Sequence, residues 1–278
     1  RFGAPAPLKY KEKIEEREEK MLFKNFRRDL TPLVFAVFAV VGGFLEVFTF
    51  VLHGGVFCNA QTGNVVMFVL YLVRGDAAAG LRYLWSIAAY ILGIVLTAVL
   101  PDRAKVNRPL VMTLVEIAAF VVLAFFPAGA SDWYTYAAVS FLCAVQYNTF
   151  TQMRGNAVAT TFCTNNIRQM FLHLVRGVRE KDGAEYRRSG AYLFIVLCFA
   201  AGAALGAVAA DGMGNWCILV CAACLLPVLA LFFVDIALGR KAPPAAGEGT
   251  KGEPPAAPSA SAALSGTGES EERGERGE

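Results

Sequence analysis

Two short polar runs interrupt apolar stretches of this chain, and their residue types suit the binding of a small solute. They are Thr62, Gly63 and Asn64 in the first run, and Thr164, Asn165 and Asn166 in the second. A helix that begins inside a membrane turns free backbone N–H groups and the positive end of its dipole towards whatever lies there. We expect each threonine to cap such a helix, and both runs to line a site for a polar or anionic solute. The alternative is a pair of capped kinks packed inside the protein, since broken backbone hydrogen bonds at membrane depth are tolerated only in protein or around water.

Charged side chains also occur in otherwise apolar surroundings. Glu46 lies midway along the first apolar run, where an ionised carboxylate costs at least ~2.5 kcal/mol. It is therefore either a proton or cation coupling site, or the structural partner of Arg154 or Arg168. Arg168 lies one helical turn beyond the proposed helix start, where positive charge is unfavourable, so we expect it to face Glu46 or an anionic substrate. Glu116 leaves the same alternatives open as Glu46.

The remaining reactive side chains form no catalytic set. His53 and His173 have no carboxylate or cysteine at ligand spacing, and Cys221 and Cys224 fall within a predicted span, where cysteines act as small apolar residues. No catalytic residue, metal or cofactor is predicted, and we expect the protein not to be an enzyme. The net charge of +3, with basic residues in short loops, argues against a nucleic-acid partner.

The composition indicates an integral membrane protein. Residues 1–29 and 241–278 hold 26 of the 49 charged side chains, so the 211 residues between them carry about half the charge density of an ordinary soluble domain. Apolar runs long enough to cross a bilayer core of roughly 30 Å alternate with the two interrupted segments, 56–73 and 158–175. The predicted spans are Leu30–Leu52, Tyr83–Leu100, Leu110–Phe126, Trp133–Met153, Gly190–Ala210 and Trp216–Leu238.

The two interrupted segments resemble each other at a constant offset of 102 residues. Matching pairs include Thr62 and Thr164, Asn64 and Asn166, Leu70 and Leu172, Leu72 and Leu174, Arg74 and Arg176, Gly75 and Gly177, and Tyr90 and Tyr192. An internal duplication accounts for these matches. It divides the membrane part into a first repeat, 30–127, and a second repeat, 132–238, between a charged tail at 1–29 and a disordered tail at 241–278.

Helix length and charge indicate how often the chain crosses the membrane. From Thr62 to Val73 a helix reaches only about 18 Å, roughly half the bilayer core. If both interrupted segments dip in and return, each repeat has three spans and the two repeats are inverted. Lysine and arginine then number 15 inside and 2 outside, against 13 and 4 if all eight segments span. Six spans are favoured, and the eight-span arrangement remains the alternative.

The motifs resemble those of the YoaK-like family of uncharacterised bacterial membrane proteins, domain of unknown function 1275. The resemblance rests on Gly43-Phe44-Leu45-Glu46 and Thr62-Gly63-Asn64 in the first half, and on Gln146, Asn148, Arg154, Thr160, Thr161 and Thr164 in the second. Glu46 stands where the family usually has Asp, and Asn165 where it usually has Gly. The resemblance covers roughly residues 31–238 and implies a bacterial polytopic protein with about six spans, without implying a substrate.

The sequence therefore predicts an all-α membrane protein with six transmembrane helices in a 3+3 inverted repeat, each repeat carrying a re-entrant half-helix. We expect it in the bacterial cytoplasmic membrane with both termini in the cytoplasm. The leading function is a channel or secondary transporter for a small polar or anionic solute, and the alternative is a non-transporting scaffold or assembly factor. Partners are the lipid bilayer and the solute, and a homo-oligomer is compatible with the sequence. Leucine in place of Asn64 and Asn166 is expected to abolish transport and leave the fold intact.

Overall fold

Helices make up nearly all of the structure. The computed structural model describes residues 31–99, 107–126, 132–153 and 156–237. A short antiparallel hairpin, β1 (Gln152–Met153) and β2 (Asn156–Ala157), lies within the second half, and a 3-10 turn, Gly214–Cys217, joins the last two helices. The helices are α1 (Thr31–Leu52), α2 (Gln61–Val73), α3 (Ala77–Val99), α4 (Arg108–Ala124), α5 (Trp133–Thr149), α6 (Thr164–Glu180), α7 (Gly183–Met213) and α8 (Ile218–Ala237).

The distribution of polar groups is the reverse of that in a water-soluble protein. Ser86, Glu116, Thr135 and Gln146 are fully buried. Apolar side chains cover the outside instead, and on α3 alone the exposed ones include Leu81, Trp85, Ile91, Leu92 and Val95. Contiguous apolar surface of this extent suits contact with lipid.

Three helical segments in the described ranges are long and apolar enough to cross a membrane. They are Thr31–Leu52, Ala77–Val99 and the continuous run Gly183–Ala237, which joins α7 to α8. The helix α2, with 13 residues, is short for a span. The apolar helices are consistent with a membrane-embedded protein.

Some helix ends differ from those predicted. The helix α7 begins at Gly183 instead of Gly190, because the side chain of Asp182 accepts a hydrogen bond from the backbone N–H of Ala184 at 2.7 Å and caps it. The helix α3 likewise begins at Ala77, where Asp76 Oδ1 accepts from the N–H of Ala79 at 3.0 Å. Hydropathy alone misses both ends, since Arg82 interrupts the apolar run in α3 and Glu185, Arg187 and Arg188 interrupt it in α7.

The prediction that the fourth span continues as a helix to Met153 is wrong. The helix α5 ends at Thr149, and the chain turns into the β1–β2 hairpin. The N–H of Val158 donates to the carbonyl of Thr151 at 3.1 Å, which closes this hairpin. The second interrupted segment also ends later than predicted, since α6 continues to Glu180.

The central helix α1 packs against α7 through glycines. A Cβ atom added at Gly202 would overlap the carbonyl oxygen of Val40, and one at Gly206 would lie 2.9 Å from the carbonyl oxygen of Phe44. A Cβ atom added at Gly43 of α1 would overlap the backbone of Phe199 in the same way. Small residues allow such close backbone approach between membrane helices.

A buried hydrogen-bonded cluster joins four chain segments at one end of the helices. His53, after α1, bonds through Nδ1 to Asp132, directly before α5, and through Nε2 to Asn215 Oδ1 at 3.1 Å. Asn215 Nδ2 in turn donates to the carbonyls of Leu123 and Phe126 at the end of α4. These contacts hold the ends of α1 and α4 beside the starts of α5 and α8.

The close crossing of α1 and α7 yields a stability prediction. Gly202→Ala should lower the free energy of unfolding by about 1–3 kcal/mol, because the methyl group forces two backbones apart. Gly190→Ala is the matched control on the same helix, since nothing lies within 4 Å of its added Cβ and alanine favours a helix. Thermal unfolding of the purified protein in detergent compares the two variants, and an equal melting temperature for both would contradict this packing.

Candidate functional site

Each short helix is preceded by a loop that an asparagine side chain holds closed. The N–H of Phe57 donates to Asn64 Oδ1 at 3.0 Å, and Asn64 Nδ2 donates to the carbonyl of Phe57 at 2.6 Å. In the second half, the N–H of Ala159 donates to Asn166 Oδ1 at 3.2 Å, and Asn166 Nδ2 donates to the carbonyl of Ala159 at 2.6 Å. The two pairs of bonds are related by the same offset of 102 residues as the sequence matches. We call the loops 56–60 and 158–163 the first and second break.

Both asparagine amides are buried and already used by the protein. Asn64 Nδ2 also lies within hydrogen-bond distance of Gln61 Oε1 and Ser86 Oγ, and Asn166 Nδ2 of the carbonyl of Phe162. Ser86 extends the first set by a 2.7 Å hydroxyl contact to Ser140 of α5. In this arrangement the two asparagines fix the shape of the breaks.

The predicted threonine caps are wrong. The helix α2 begins at Gln61 with Ala60 at its N-cap, and α6 begins at Thr164 with Cys163 at its N-cap. Neither N-cap residue makes a side-chain capping bond. Thr62 and Thr164 therefore lie within the first turns, and both are exposed.

The middle residues of the two runs differ between the halves. Gly63 lies against the ring of Phe57, since an added Cβ would come within 2.9 Å of that ring. The close neighbour of Gly63 is thus the side chain of Phe57 and not another backbone segment. Asn165, in the equivalent position, is exposed.

Glu46 provides the cap that α2 otherwise lacks. Its Oε2 accepts from the N–H of Asn59 at 2.8 Å and from the Cys58 thiol at 3.2 Å, and its Oε1 accepts from the N–H of Ala60 at 3.1 Å. A carboxylate at this end of a helix satisfies free N–H groups and interacts favourably with the dipole. The protein itself therefore places a carboxyl group at the start of α2.

Among the described residues, no carboxylate forms a hydrogen bond with the start of α6. Asn148 stands at the position equivalent to Glu46, and its amide donates to Thr97 Oγ1 at 2.7 Å instead of facing the second break. Arg168 is exposed and, within the part of the chain that the structure describes, forms no hydrogen bond or ion pair. The expected pairing of Arg168 with Glu46 is thus absent among the described contacts, and Arg154 lies outside the described residues.

The two breaks meet at the middle of α1. The carbonyl of Gly42 accepts from Asn59 Nδ2 at 3.2 Å, and a Cβ added at Gly42 would lie 2.7 Å from the carbonyl oxygen of Thr160. From α5, Gln146 Nε2 donates to Thr160 Oγ1 at 3.1 Å, and Cys143 Sγ lies 3.9 Å from Cys58 Sγ. Both breaks therefore contact the same pair of helices, α1 and α5.

Polar atoms without partners gather around this meeting point. Among the described residues, Asn59 Oδ1, Thr161 Oγ1, Gln146 Oε1 and the Tyr90 hydroxyl are buried and have no hydrogen-bond partner. Asn59 and Thr161 are equivalent positions of the two breaks. Because buried polar atoms are nearly always bonded to protein or water, such a group indicates a place where water or a ligand binds. We call these four residues the central polar site.

Three of the four residues of this site belong to patterns that are visible in the sequence. Gln146 and Thr161 belong to the motifs that carry the family resemblance, and Tyr90 to the matches between the halves. Asn59 lies in the first polar interruption, three residues before Thr62, which is the first of the predicted ligands. The predicted ligands, Thr62 to Asn64 and Thr164 to Asn166, instead lie in the first turns of α2 and α6.

The described residues hold no arrangement for a metal ion. Glu46 contacts Cys58, and Cys58 contacts Cys143. In the described ranges, however, no group of three or more histidine, cysteine, aspartate or glutamate side chains is arranged to bind a metal. Both histidines are paired with carboxylates, His53 with Asp132 and His173 with Glu185.

A comparison with protein families finds one match. A family model described as "Protein of unknown function (DUF1275)" matches residues 34–232, a range that includes both breaks and the central polar site. This confirms the family resemblance seen in the motifs. Nothing among the curated proteins or the solved structures matches the chain.

The asparagine bonds predict a stability difference between neighbouring residues. Asn166→Ala should lower the free energy of unfolding by about 1–3 kcal/mol, because the N–H and carbonyl of buried Ala159 lose their partner. Asn165→Ala, one residue away and exposed, is the control and should change stability by less than about 0.5 kcal/mol. Leucine at Asn64 and Asn166 should likewise destabilise the fold, in contrast to the expectation from sequence. Equal melting temperatures for the two alanine variants would show that the amide does not hold the second break.

Proposed function

The chain belongs to the DUF1275 family of proteins of unknown function, and we propose that it is a channel or secondary transporter for a small polar or anionic solute. The observation that carries the proposal is the central polar site, in which residues of both breaks and of the helices beside them have buried polar atoms without a hydrogen-bond partner among the described residues. Irregular backbone and free polar atoms at membrane depth are typical of protein that surrounds a solute or water.

The two helix starts favour an anion on one side only. Glu46 already neutralises the start of α2, so a second negative group there would be repelled. The start of α6 lacks a carboxylate, and Arg168 lies one turn further along the helix. A solute with one negative and one neutral polar end would therefore place its negative end towards Thr161 and α6, and its neutral end towards Asn59.

A contact between loops supports the six-span arrangement. His53 and Asp132 are bonded to each other, so they lie on the same side of the membrane. The helices α2, α3 and α4 separate them, and a chain returns to the same side only after an even number of crossings. If α3 and α4 cross, α2 does not. The bond between His53 and Asn215 gives the same result for α6, since α5 and α7 cross between Asp132 and Asn215.

The repeated packing supports the 3+3 inverted arrangement. In the first half the short helix α2 packs on α3, and in the second half α6 packs on α7. The helix α3 packs against α5, and α7 packs against α1 through its glycines. Each half thus contributes a short helix, a crossing partner for the other half and one wall of the central polar site. Repeats with three spans each are necessarily inverted in the membrane.

Labelling from outside the cell tests the number of spans. The partly exposed Cys163, Cys198 and Cys224 are first replaced by alanine. We then expect Asp102→Cys and Gly129→Cys to be labelled differently. A membrane-impermeant maleimide should label only Gly129→Cys in intact cells, because six spans place the loop 101–108 inside. Both variants should be labelled in permeabilised cells. Labelling of Asp102→Cys in intact cells would instead support eight spans.

Removing the unpartnered hydroxyl of Thr161 tests the solute site. Thr161→Val keeps the shape of the side chain and should leave the unliganded protein as stable as wild type or more so, because a buried hydroxyl without a partner is lost. A panel of phosphate, sulfate, succinate, glutamate and uracil is screened by thermal shift. A compound at 100 times its dissociation constant adds about 2.7 kcal/mol to wild type, and the variant should lose that shift.

Thr135→Val is the matched control for this screen. Thr135 Oγ1 is also buried without a partner among the described residues, but Thr135 lies eleven residues before Gln146 on α5, about 16 Å along the helix. This variant should keep the shift. A panel without effect on wild type would favour the alternative of a scaffold that transports nothing.

A further inference from the structure

One carboxyl group outside the central polar site has no partner at all in the described structure. Glu116 of α4 is fully buried, and neither of its oxygens has a hydrogen-bond partner among the described residues. No arginine, lysine or histidine of the described ranges forms an ion pair with it. An ionised carboxylate in such a place would be strongly unfavourable, and a buried acid without donors is neutral instead.

Two buried thiols lie within electrostatic range of Glu116. The helix α4 packs against α8 and α5. The titratable groups that interact with Glu116 from these helices are Cys143 of α5 and Cys221 of α8. Both thiols are buried, as are Phe120 and Met112 on α4 itself. None of these groups carries a charge that would hold Glu116 ionised.

Two thiols connect Glu116 with the first break. Cys143, which interacts with Glu116, lies 3.9 Å from Cys58, and the Cys58 thiol donates to Glu46 at 3.2 Å. Glu116 is therefore within electrostatic range of Cys143, from which contacts lead through Cys58 to Glu46. Glu46 accepts three hydrogen bonds, which suits a carboxylate, whereas Glu116 accepts none. The surroundings of Glu46 thus favour the charged form more than those of Glu116 do, and acids in unlike surroundings are typical of sites that move protons.

We propose that Glu116 binds and releases one proton in the transport cycle, so that solute movement is coupled to H⁺. The proposal rests on the proposed function, since it names the coupling ion of the same transporter. In the structure described here, where the carboxyl is buried, it is protonated. When water reaches it in another state, its O–H bond breaks, the electron pair stays on the carboxylate and the proton passes to water. The charge left on Glu116 acts on the first break through Cys143 and Cys58.

Infrared spectroscopy tests the protonation state without a substrate. Wild-type protein in liposomes at neutral pH should show the carbonyl stretch of a protonated carboxyl group, with the usual shift in D₂O. The band should be lost in Glu116→Gln and kept in Glu180→Gln, where the same change is made at an exposed residue. Identical spectra for all three proteins would overturn the proposal. Because glutamine imitates the neutral acid, Glu116→Gln should melt at the wild-type temperature. If Glu116→Gln does not fold, Glu116→Asp replaces it in the test, and the carbonyl band of that variant should be shifted from the wild-type position.

Uptake into proteoliposomes tests the coupling. The same five compounds are supplied with and without an inward proton gradient, in vesicles of phosphatidylethanolamine and phosphatidylglycerol. The gradient should accelerate wild-type uptake several-fold and leave the uptake by Glu116→Gln unchanged, whereas Glu180→Gln should respond as wild type does. A full response in Glu116→Gln would overturn the coupling role. If no compound enters vesicles that contain the wild type, the proposed function fails, and the infrared result still decides whether Glu116 is protonated.

Discussion

The structure depends on one constraint, the need to satisfy backbone polar groups where a helix is interrupted inside an apolar environment. Asn64 and Asn166 meet it in the same way, since each amide donates to and accepts from the residue seven positions earlier. A side chain thus replaces the backbone partner that a continuous helix would supply. Because both breaks are held in this way, residues such as Asn59 and Thr161 can lie where the breaks meet, with buried polar atoms that have no hydrogen-bond partner among the described residues.

The two halves use the same framework for different chemistry. Glu46 in the first half corresponds to Asn148 in the second, and only the glutamate reaches a helix start. A similar replacement occurs where the short and long helices pack. Tyr71 stacks on Tyr83 in the first half, and at the equivalent positions His173 bonds to Glu185. The two halves share this geometry, and these differences place a carboxyl group at the start of α2, whereas none among the described residues is hydrogen-bonded to the start of α6.

Much of this could be predicted from local sequence patterns, because an interruption or a close packing motif is visible in neighbouring residues. The break positions, the offset of 102 residues and the glycine pair Gly202 and Gly206 are of this kind. The cap formed by Glu46 could not be predicted, since its partners are backbone N–H groups 13 and 14 residues away and carry no sequence signal. The end of α5 at Thr149 was also hidden, because Phe150 and Met153 extend the apolar run past the last residue of the helix.

Close backbone contacts also determine which parts of the molecule are able to move. The glycines of α1 and α7 bring two backbones together, so a shift between these helices would separate a tightly packed crossing. The bonds of His53 with Asp132 and Asn215 hold one end of α1 in addition. The short helices α2 and α6 expose most of their outward side chains, and each packs on one long helix, α3 and α7 respectively. Access to the central polar site is therefore expected to change by movement of a short helix with its break, while α1 and α7 stay together.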